Sequence, residues 1–391
     1  MFDQPAVPVD QSRLGGDRAP RVGSIDVARG MVMVLMVLDH VRDYLTDAKI
    51  DPTDLSVTTP ALFFTRWATH FCAPTFVFLA GVSAALSGLR RTRSDLSRHL
   101  LVRGFWLLLL SQAWENVFIF FTYPHVVLAL VLWVIGWSMI TLAALVHLPR
   151  SIVAAFGLAM VACHNLLDGA RFGGGTAGLV GGLLHEPGLR FLPGGIPVLV
   201  GYPLIPWVGV MAVGYAAGPI FLVPSRRRRL TLVAAGLIST TLFFALRGTN
   251  AFGDPRPWSA QASPLLSVMS FLNCQKYPPS LLYLLMTLGP LFMILAVLDR
   301  PLGRWAHPFR VFGRAPLFFY LAQWPVAHGL AVALEAARGH RVDWMFRFPP
   351  FQSPPGFGYG LPAVYLAWLA VIGLLYYPTL AYQRWRAGEA T

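Results

Sequence analysis

Charge is scarce in this chain: 13% of its 391 residues are Asp, Glu, Lys or Arg, and only Lys49 and Lys276 are lysine. Three cysteines, Cys72, Cys163 and Cys274, stand without metal-ligand spacing, which removes a cysteine-built zinc or iron site. They read as packing residues, with a Cys163–Cys274 disulfide left open. The sequence also lacks a nucleotide-phosphate loop, an HExxH pair, any other metal motif and a convincing internal repeat. Residues 1–22 form a polar tail without the apolar core of a cleavable signal, so the first apolar segment is expected to be an uncleaved anchor.

What the chain has in excess is apolar surface. Its hydrophobic share is 55% and its mean hydropathy +0.57, more than a soluble core of this size could hide. The apolar segments run to about 20 residues, the helix length that crosses about 30 Å of hydrocarbon. We therefore expect an all-α, polytopic integral membrane protein with the lipid bilayer as its first partner. About ten spans fall near residues 25–44, 61–88, 100–121, 125–147, 151–167, 203–222, 229–247, 278–298, 311–334 and 362–382, within a single transmembrane domain over 23–386. The stretch 172–201 is too broken by Gly and Pro for a span and reads as a loop or re-entrant piece.

The formal net charge of +13 would suit nucleic acid, but its distribution does not. On an inside-first arrangement most arginines, Arg90, Arg91, Arg93, Arg98, Arg103 and the run Arg226 to Arg229 among them, fall on inner segments, whereas both lysines fall outside. The positive-inside rule then puts both termini in the cytoplasm of a cell with this protein in its inner (plasma) membrane. Nothing in the pattern decides the oligomeric state; a homodimer stays open.

Ionisable groups within a span cost roughly 2.5–3.5 kcal/mol each on insertion scales, so the first span needs a reason for its own. "SIDVARGMVMVLMVLDHVRDYL" carries Asp26 and Arg29 at one end and Asp39, His40, Arg42 and Asp43 at the other. Eleven residues make about three helical turns, so Arg29 and His40 share a face roughly 16 Å apart. The full stripe is Asp26, Arg29, Met33, Met36, His40 and Asp43, a face able to line a passage. The plain alternative is an anchoring Asp26–Arg29 pair and a His40 that only hydrogen-bonds a neighbouring helix.

Partners for these groups come from later spans. Arg66 and His70 stand one turn apart before "APTFVFLAGVSAAL", and "LLSQAWENVF" puts Ser111, Gln112, Glu115 and Asn116 on one side of the third span. Glu115 should be neutral or paired there; polar glue between helices is its plain alternative. "NCQKYPPSLLYLL" brings Lys276 and Tyr277 to an outer mouth, and "GRAPLFFYLAQWPVAH" carries Arg314 inside with Tyr320, Gln323 and His328 progressively outward. "ACHNLLDG" puts His164, Asn165 and Asp168 at the outer end of the fifth span, and His164 and His328 read as interfacial residues rather than catalysts.

A partly dehydrated histidine suits general-base catalysis, removing a proton from an amine or hydroxyl, with Asp43 to orient it and His70 as a further catalytic candidate. Asp26, Arg29 and Arg314 suit a phosphorylated donor from the cytoplasm. Asp39, Arg66, Gln112, Glu115, Asn116, Lys276 and Gln323 are left for the acceptor. A secondary transporter could use the same stripe to bind substrate or relay protons.

"SIDVARGMVMVLMVLDH" followed by "HFCAPTFVFLAGVSAALS" resembles the catalytic domain of heparan-α-glucosaminide N-acetyltransferases and their bacterial relatives, and "KYPPSLLYLLMTLGP" and "FGRAPLFFYLAQWPVAH" resemble the later part of those relatives. The resemblance implies transfer of an acetyl or related acyl group from cytoplasmic acyl-CoA to a sugar or glycan on the far side, with His40 as the catalytic histidine. Two departures stand out. The animal enzyme has asparagine at the position of His40 and uses a histidine in the following loop, where this chain reads "TDAKIDPTDLS"; relatives often carry histidine at the position of Gln323.

Overall fold

The computed structural model describes residues 22–123, 125–348, 354 and 356–388, so the polar tail expected over 1–22 lies almost wholly outside the described residues. The chain is mostly helical. First come α1 (Gly23–Leu45), α2 (Pro60–Ala68) and α3 (Cys72–Ser87), the last two joined by a 3₁₀ turn at Thr69–Phe71. Next, α4 (Arg93–Leu110) passes through a π-helical turn, Ser111–Glu115, into α5 (Asn116–Phe120), followed by β1 (Val127–Ala129), α6 (Val131–Leu145), α7 (Arg150–Cys163) and α8 (Gly175–Leu184). The hairpin β2 (Gly188–Phe191) and β3 (Pro197–Val200) leads to α9 (Leu204–Ala217), α10 (Ser225–Thr249), α11 (Pro264–Leu272) and α12 (Leu281–Leu298). Last are α13 (His307–Arg314), α14 (Pro316–Ala337) and α15 (Leu361–Ala387).

Local chemistry sets several of these starts. The Thr59, Thr92 and Ser280 side chains accept from the amides of Leu62, Asp95 and Tyr283, capping α2, α4 and α12. Pro316 opens α14 and pushes Ala315 out of the helical region. The span expected over 311–334 is for that reason two helices, α13 and α14.

Among the described residues seven helices are long and apolar enough to cross a membrane: Pro60–Arg90, Arg150–Leu167, Leu204–Phe221, Ser225–Thr249, Leu281–Leu298, Pro316–Ala337 and Leu361–Ala387. The other three expected spans fall on α1, dense in ionisable groups; on α4 with its π turn; and on α6, short for a full crossing. Exposed apolar side chains on α10 (Leu230, Leu237, Ile238, Phe244) and α15 (Leu366, Leu369, Leu374) present surfaces suited to lipid tails.

The all-α expectation needs one correction. Segment 172–201 contains α8 and the β2–β3 hairpin, and β3 also pairs in parallel with β1, giving a three-stranded sheet ordered β1-β3-β2. The alternation in "PVLV", with Val198 and Val200 buried, is the period-2 signal of a strand. Paired edges satisfy the backbone that Gly and Pro keep from forming a helix.

At the centre stands α1, in contact with α3, α12, α13, α14 and α15. Its N-terminal Ile25, Val27 and Ala28 belong to one apolar cluster, while the apolar residues from Val32 to Leu45 belong to a second. Glycine sets its crossing with α13: a Cβ on Gly30 would lie 1.8 Å from the Phe309 carbonyl oxygen, and one on Gly313 would lie 1.8 Å from that of Asp26. Backbone meets backbone there, the close approach small residues permit in membranes. Gly30→Ala should therefore force the helices apart and cost at least the about 1–3 kcal/mol typical of overpacking, seen as a lower thermal midpoint in detergent. An unchanged midpoint would contradict this crossing.

Candidate functional site

Both ends of α1 carry a polar site, and they differ in kind. At its N-terminal end lies a cavity of ≈ 1080 Å³. Arg29, Arg90, Arg91, Arg103, Arg310, Arg314, Arg384 and Arg386 line it, with His99 and His307, against a single carboxylate among the described residues, Asp26. Arg29 donates to Ser83 Oγ at 2.9 Å and to the Gly313 carbonyl at 3.2 Å, and lies 3.7 Å from Asp26. Its guanidinium thus braces α1 against α3 and α13. Arg314 reaches Asp26 at 3.4 Å with its side chain 44% exposed, so more of its charge faces the cavity. From the sequence, Asp26, Arg29 and Arg314 are the expected donor residues, and Arg90, Arg91 and Arg103 carry only a topology signal. Proximity across α3, α4, α13 and α15 gathers them, which spacing along one helix does not reveal.

At the opposite end the residues converge on Asp39. Its carboxylate accepts a short hydrogen bond from Arg66, pairs with Arg42 at 2.9 Å and lies 3.9 Å from Lys276 Nζ. Arg42, almost fully buried, also holds Asp43 at 2.5 Å. Arg66 reaches on to the Tyr277 hydroxyl at 3.5 Å, and the Tyr277 ring packs edge-on against Tyr202. Burial raises the Tyr277 phenol, yet Lys276 and Arg66 beside it outweigh that and hold it below its usual range. Three cations thus surround two carboxylates.

Adjacent to this cluster, His40 stacks on Trp324 with ring centroids 4.0 Å apart. Among the described residues its buried Nδ1 has no hydrogen-bond partner. The expected role of Asp43 in orienting the imidazole is not what the geometry gives: Arg42 takes that carboxylate, and Trp324 sets the ring plane. Gln323 is buried beside His40, with neither amide atom in a well-formed hydrogen bond among the described residues. A cavity of ≈ 40 Å³ opens here, lined by His40, Asp39, Met36, Thr69, Cys72, Tyr202 and Lys276 among others. It has room for a water or a small group, not for a sugar ring.

Other expected site residues are used differently. His70 does not line this cavity; the 3₁₀ turn at Thr69–Phe71 turns it onto Tyr283, whose hydroxyl donates to the His70 carbonyl at 2.7 Å. Gln112 and Asn116 bind main chain, not an open site: Gln112 Nε2 donates to the Leu128 carbonyl at 2.8 Å and its Oε1 accepts from the Leu128 amide, while Asn116 donates to the Val126 carbonyl at 2.5 Å. Together they pin β1. Glu115, fully buried, accepts from Ser111 at 2.9 Å and from the Tyr320 hydroxyl. Across the π turn the four side chains part into two pairs, Ser111 with Glu115 and Gln112 with Asn116, each four residues apart. Tyr320 packs edge-on against Trp324, so two aromatic rings connect Glu115 to His40. Met33 is sealed in the core and lines neither cavity; the expected passage along α1 is closed between its ends. Sequence reasoning missed Arg42 as the second clamp on Asp39, Trp324 as the stacking partner and Tyr202 as a wall. The first could have been found from its i,i+3 spacing to Asp39.

The sequence profile of the family described as heparan-alpha-glucosaminide N-acetyltransferase, catalytic, matches residues 21–251. That stretch covers more than half of the chain and holds Arg29, Asp39, His40, Arg66 and Glu115, whereas Lys276, Arg314 and Gln323 follow it. A comparison with curated proteins finds no match. The transporter reading gains nothing from the profile match. A helical membrane protein with the family's catalytic region around its central helix, this chain belongs to the heparan-alpha-glucosaminide N-acetyltransferase catalytic-domain family.

Proposed function

We propose that the protein is an acetyl-CoA-dependent acyltransferase of the inner (plasma) membrane, with ten spans and cytoplasmic termini, that moves an acetyl or related acyl group to an amino or hydroxyl group of a sugar on the outer side. The observation that carries this reading is the pairing of an arginine-lined cavity of ≈ 1080 Å³ with His40 at the far end of the same helix. Guanidinium forks recognise phosphate oxygens, and CoA carries several phosphates on a nucleotide with a long thin arm. The arm would thread toward His40 past Met33 and Met36, whose unbranched side chains rearrange readily.

At the outer end His40 takes the proton from the acceptor as its nitrogen or oxygen attacks the thioester carbonyl. The carbonyl oxygen becomes negative, the new C–N or C–O bond forms, the C–S bond breaks, and CoA leaves as a thiolate that is then protonated. Arg42, Arg66 and Lys276 outnumber Asp39 and Asp43, so the surroundings favour that negative charge. The small cavity accommodates the acceptor's reacting group, and the sugar itself remains at the mouth.

The test is purified protein with labelled acetyl-CoA and a panel of amino and hydroxyl sugars. Label transferred to a sugar is expected; no transfer to any acceptor by folded protein that binds acetyl-CoA would contradict the reading. For the donor, Arg103→Ala with Arg314→Ala should raise the KM for acetyl-CoA with little change in kcat, the mark of lost binding shared by ground and transition states. Arg29→Ala should also lower stability, because it removes the bonds to Ser83 and Gly313. An unchanged donor KM in the double variant would remove these arginines from the donor site.

A further inference from the structure

Beyond the two ends of α1, the described residues bring His164, Asp168 and His185 together at the far end of α7, one ligand atom of each lying within 4.8 Å of the others. His164 and His185 are 3% and 4% exposed. Both ring nitrogens of His164, Nε2 of His185 and Oδ1 of Asp168 are buried without a hydrogen-bond partner among the described residues. Buried polar atoms left unpaired are costly, and here one from each residue lies close to the others. His185 Nε2 lies 3.8 Å from Asp168 Oδ1.

Around them stands the support a metal site requires. Asp168 Oδ2 accepts from Asn165 Nδ2 at 2.7 Å, which turns Oδ1 toward the histidines. Nε2 of His185 faces that oxygen with no hydrogen-bond partner among the described residues, so its lone pair is available to a ligand. A ligating carboxylate held through its second oxygen, as Asn165 holds Asp168, is usual around zinc. Bond lengths of about 2.0–2.2 Å put tetrahedral ligands roughly 3.4 Å apart, within reach of rotation of the two imidazoles.

We propose that His164, Asp168 and His185 form a binding site for one divalent transition-metal ion of the zinc class, with a fourth position left to water. Imidazole with a single carboxylate selects such ions over calcium or magnesium, which take sets of oxygen ligands. The ion would tie His185, directly after α8, to the end of α7. Asn165 Oδ1 accepts from the Leu281 amide, so the same clamp reaches the start of α12. The segment it secures runs through β2 and β3 to Tyr202, a wall of the small cavity beside His40. The inference is independent of the acyl-transfer reading, since it concerns metal binding and not turnover.

The experiment uses untagged full-length protein in detergent, stripped with a chelator and titrated with Co²⁺, then with Zn²⁺. One Co²⁺ per chain with the intense visible absorption of a tetrahedral site, displaced by Zn²⁺ and accompanied by a higher thermal midpoint, is expected. His185→Gln should abolish that spectrum, and Asn165→Ala, which leaves all ligands in place, should weaken binding about 10–100-fold. If the variants do not fold, X-ray absorption of the Zn²⁺-loaded wild-type protein decides the matter: two imidazole nitrogens with oxygen support the site, and any other shell overturns it. Absence of stoichiometric binding by the wild type, or binding equally tight in folded His185→Gln, would also overturn it.

Discussion

His40→Ala should insert and fold as the wild type does and lose about 10²–10⁴-fold in turnover, the usual contribution of a positioned acid or base. Folding should survive because the imidazole contributes one stacking contact with Trp324 and its Nδ1 holds no partner among the described residues. The loss should appear in kcat with both substrates saturating, since donor phosphates are handled at the other end of α1. A base works only when neutral, so native activity should fall on the acid side as the imidazole gains its proton. In His40→Ala that limb should disappear from the residual activity. Full turnover in this variant would assign proton removal to another group.

Asp39→Ala should destabilise the protein by about 3–5 kcal/mol, the cost of breaking a buried ion pair from one side. The carboxylate lies between Arg42 and Arg66, with Lys276 at 3.9 Å, and both Arg42 and Lys276 are buried. Removing it leaves three cations facing one another with only Asp43, among the described residues, to offset them. Lys276→Met in the same chain should recover part of the loss by relieving that repulsion, a coupling a double-mutant cycle isolates. Thermal midpoints in detergent read both effects; an Asp39→Ala protein as stable as the wild type would show that water already screens the cluster.

How much of this was legible in the sequence depended on range. The α1 stripe was, because an 11-residue spacing on one helix fixes direction without any partner, and Arg29 and His40 do mark two polar sites. Gly30 beside Arg29 signals a close crossing only once Phe309 is known to lie opposite. The π turn at Ser111–Glu115 was not legible, nor was the division by which Glu115 binds Tyr320 while Gln112 and Asn116 are spent on β1. The sheet escaped notice because its strands are short and β1 pairs with β3, a segment that follows three intervening helices, α6, α7 and α8. His185 stands beyond a glycine-rich stretch from His164 and Asp168, so no short motif joins the three. The arginine cavity was half visible: clustered charge at several helix ends was plain, but read as topology, and only their common wall makes it a site.

The central claim is that donor and acceptor act from opposite ends of α1 and opposite faces of the membrane. Proteoliposomes of known orientation, with acetyl-CoA only on the side of the arginine cavity and an acceptor sugar only on the other, measure it directly. The account predicts acetylated sugar in that arrangement and none when acetyl-CoA is moved to the His40 side. Equal product with both substrates confined to the arginine side would contradict it.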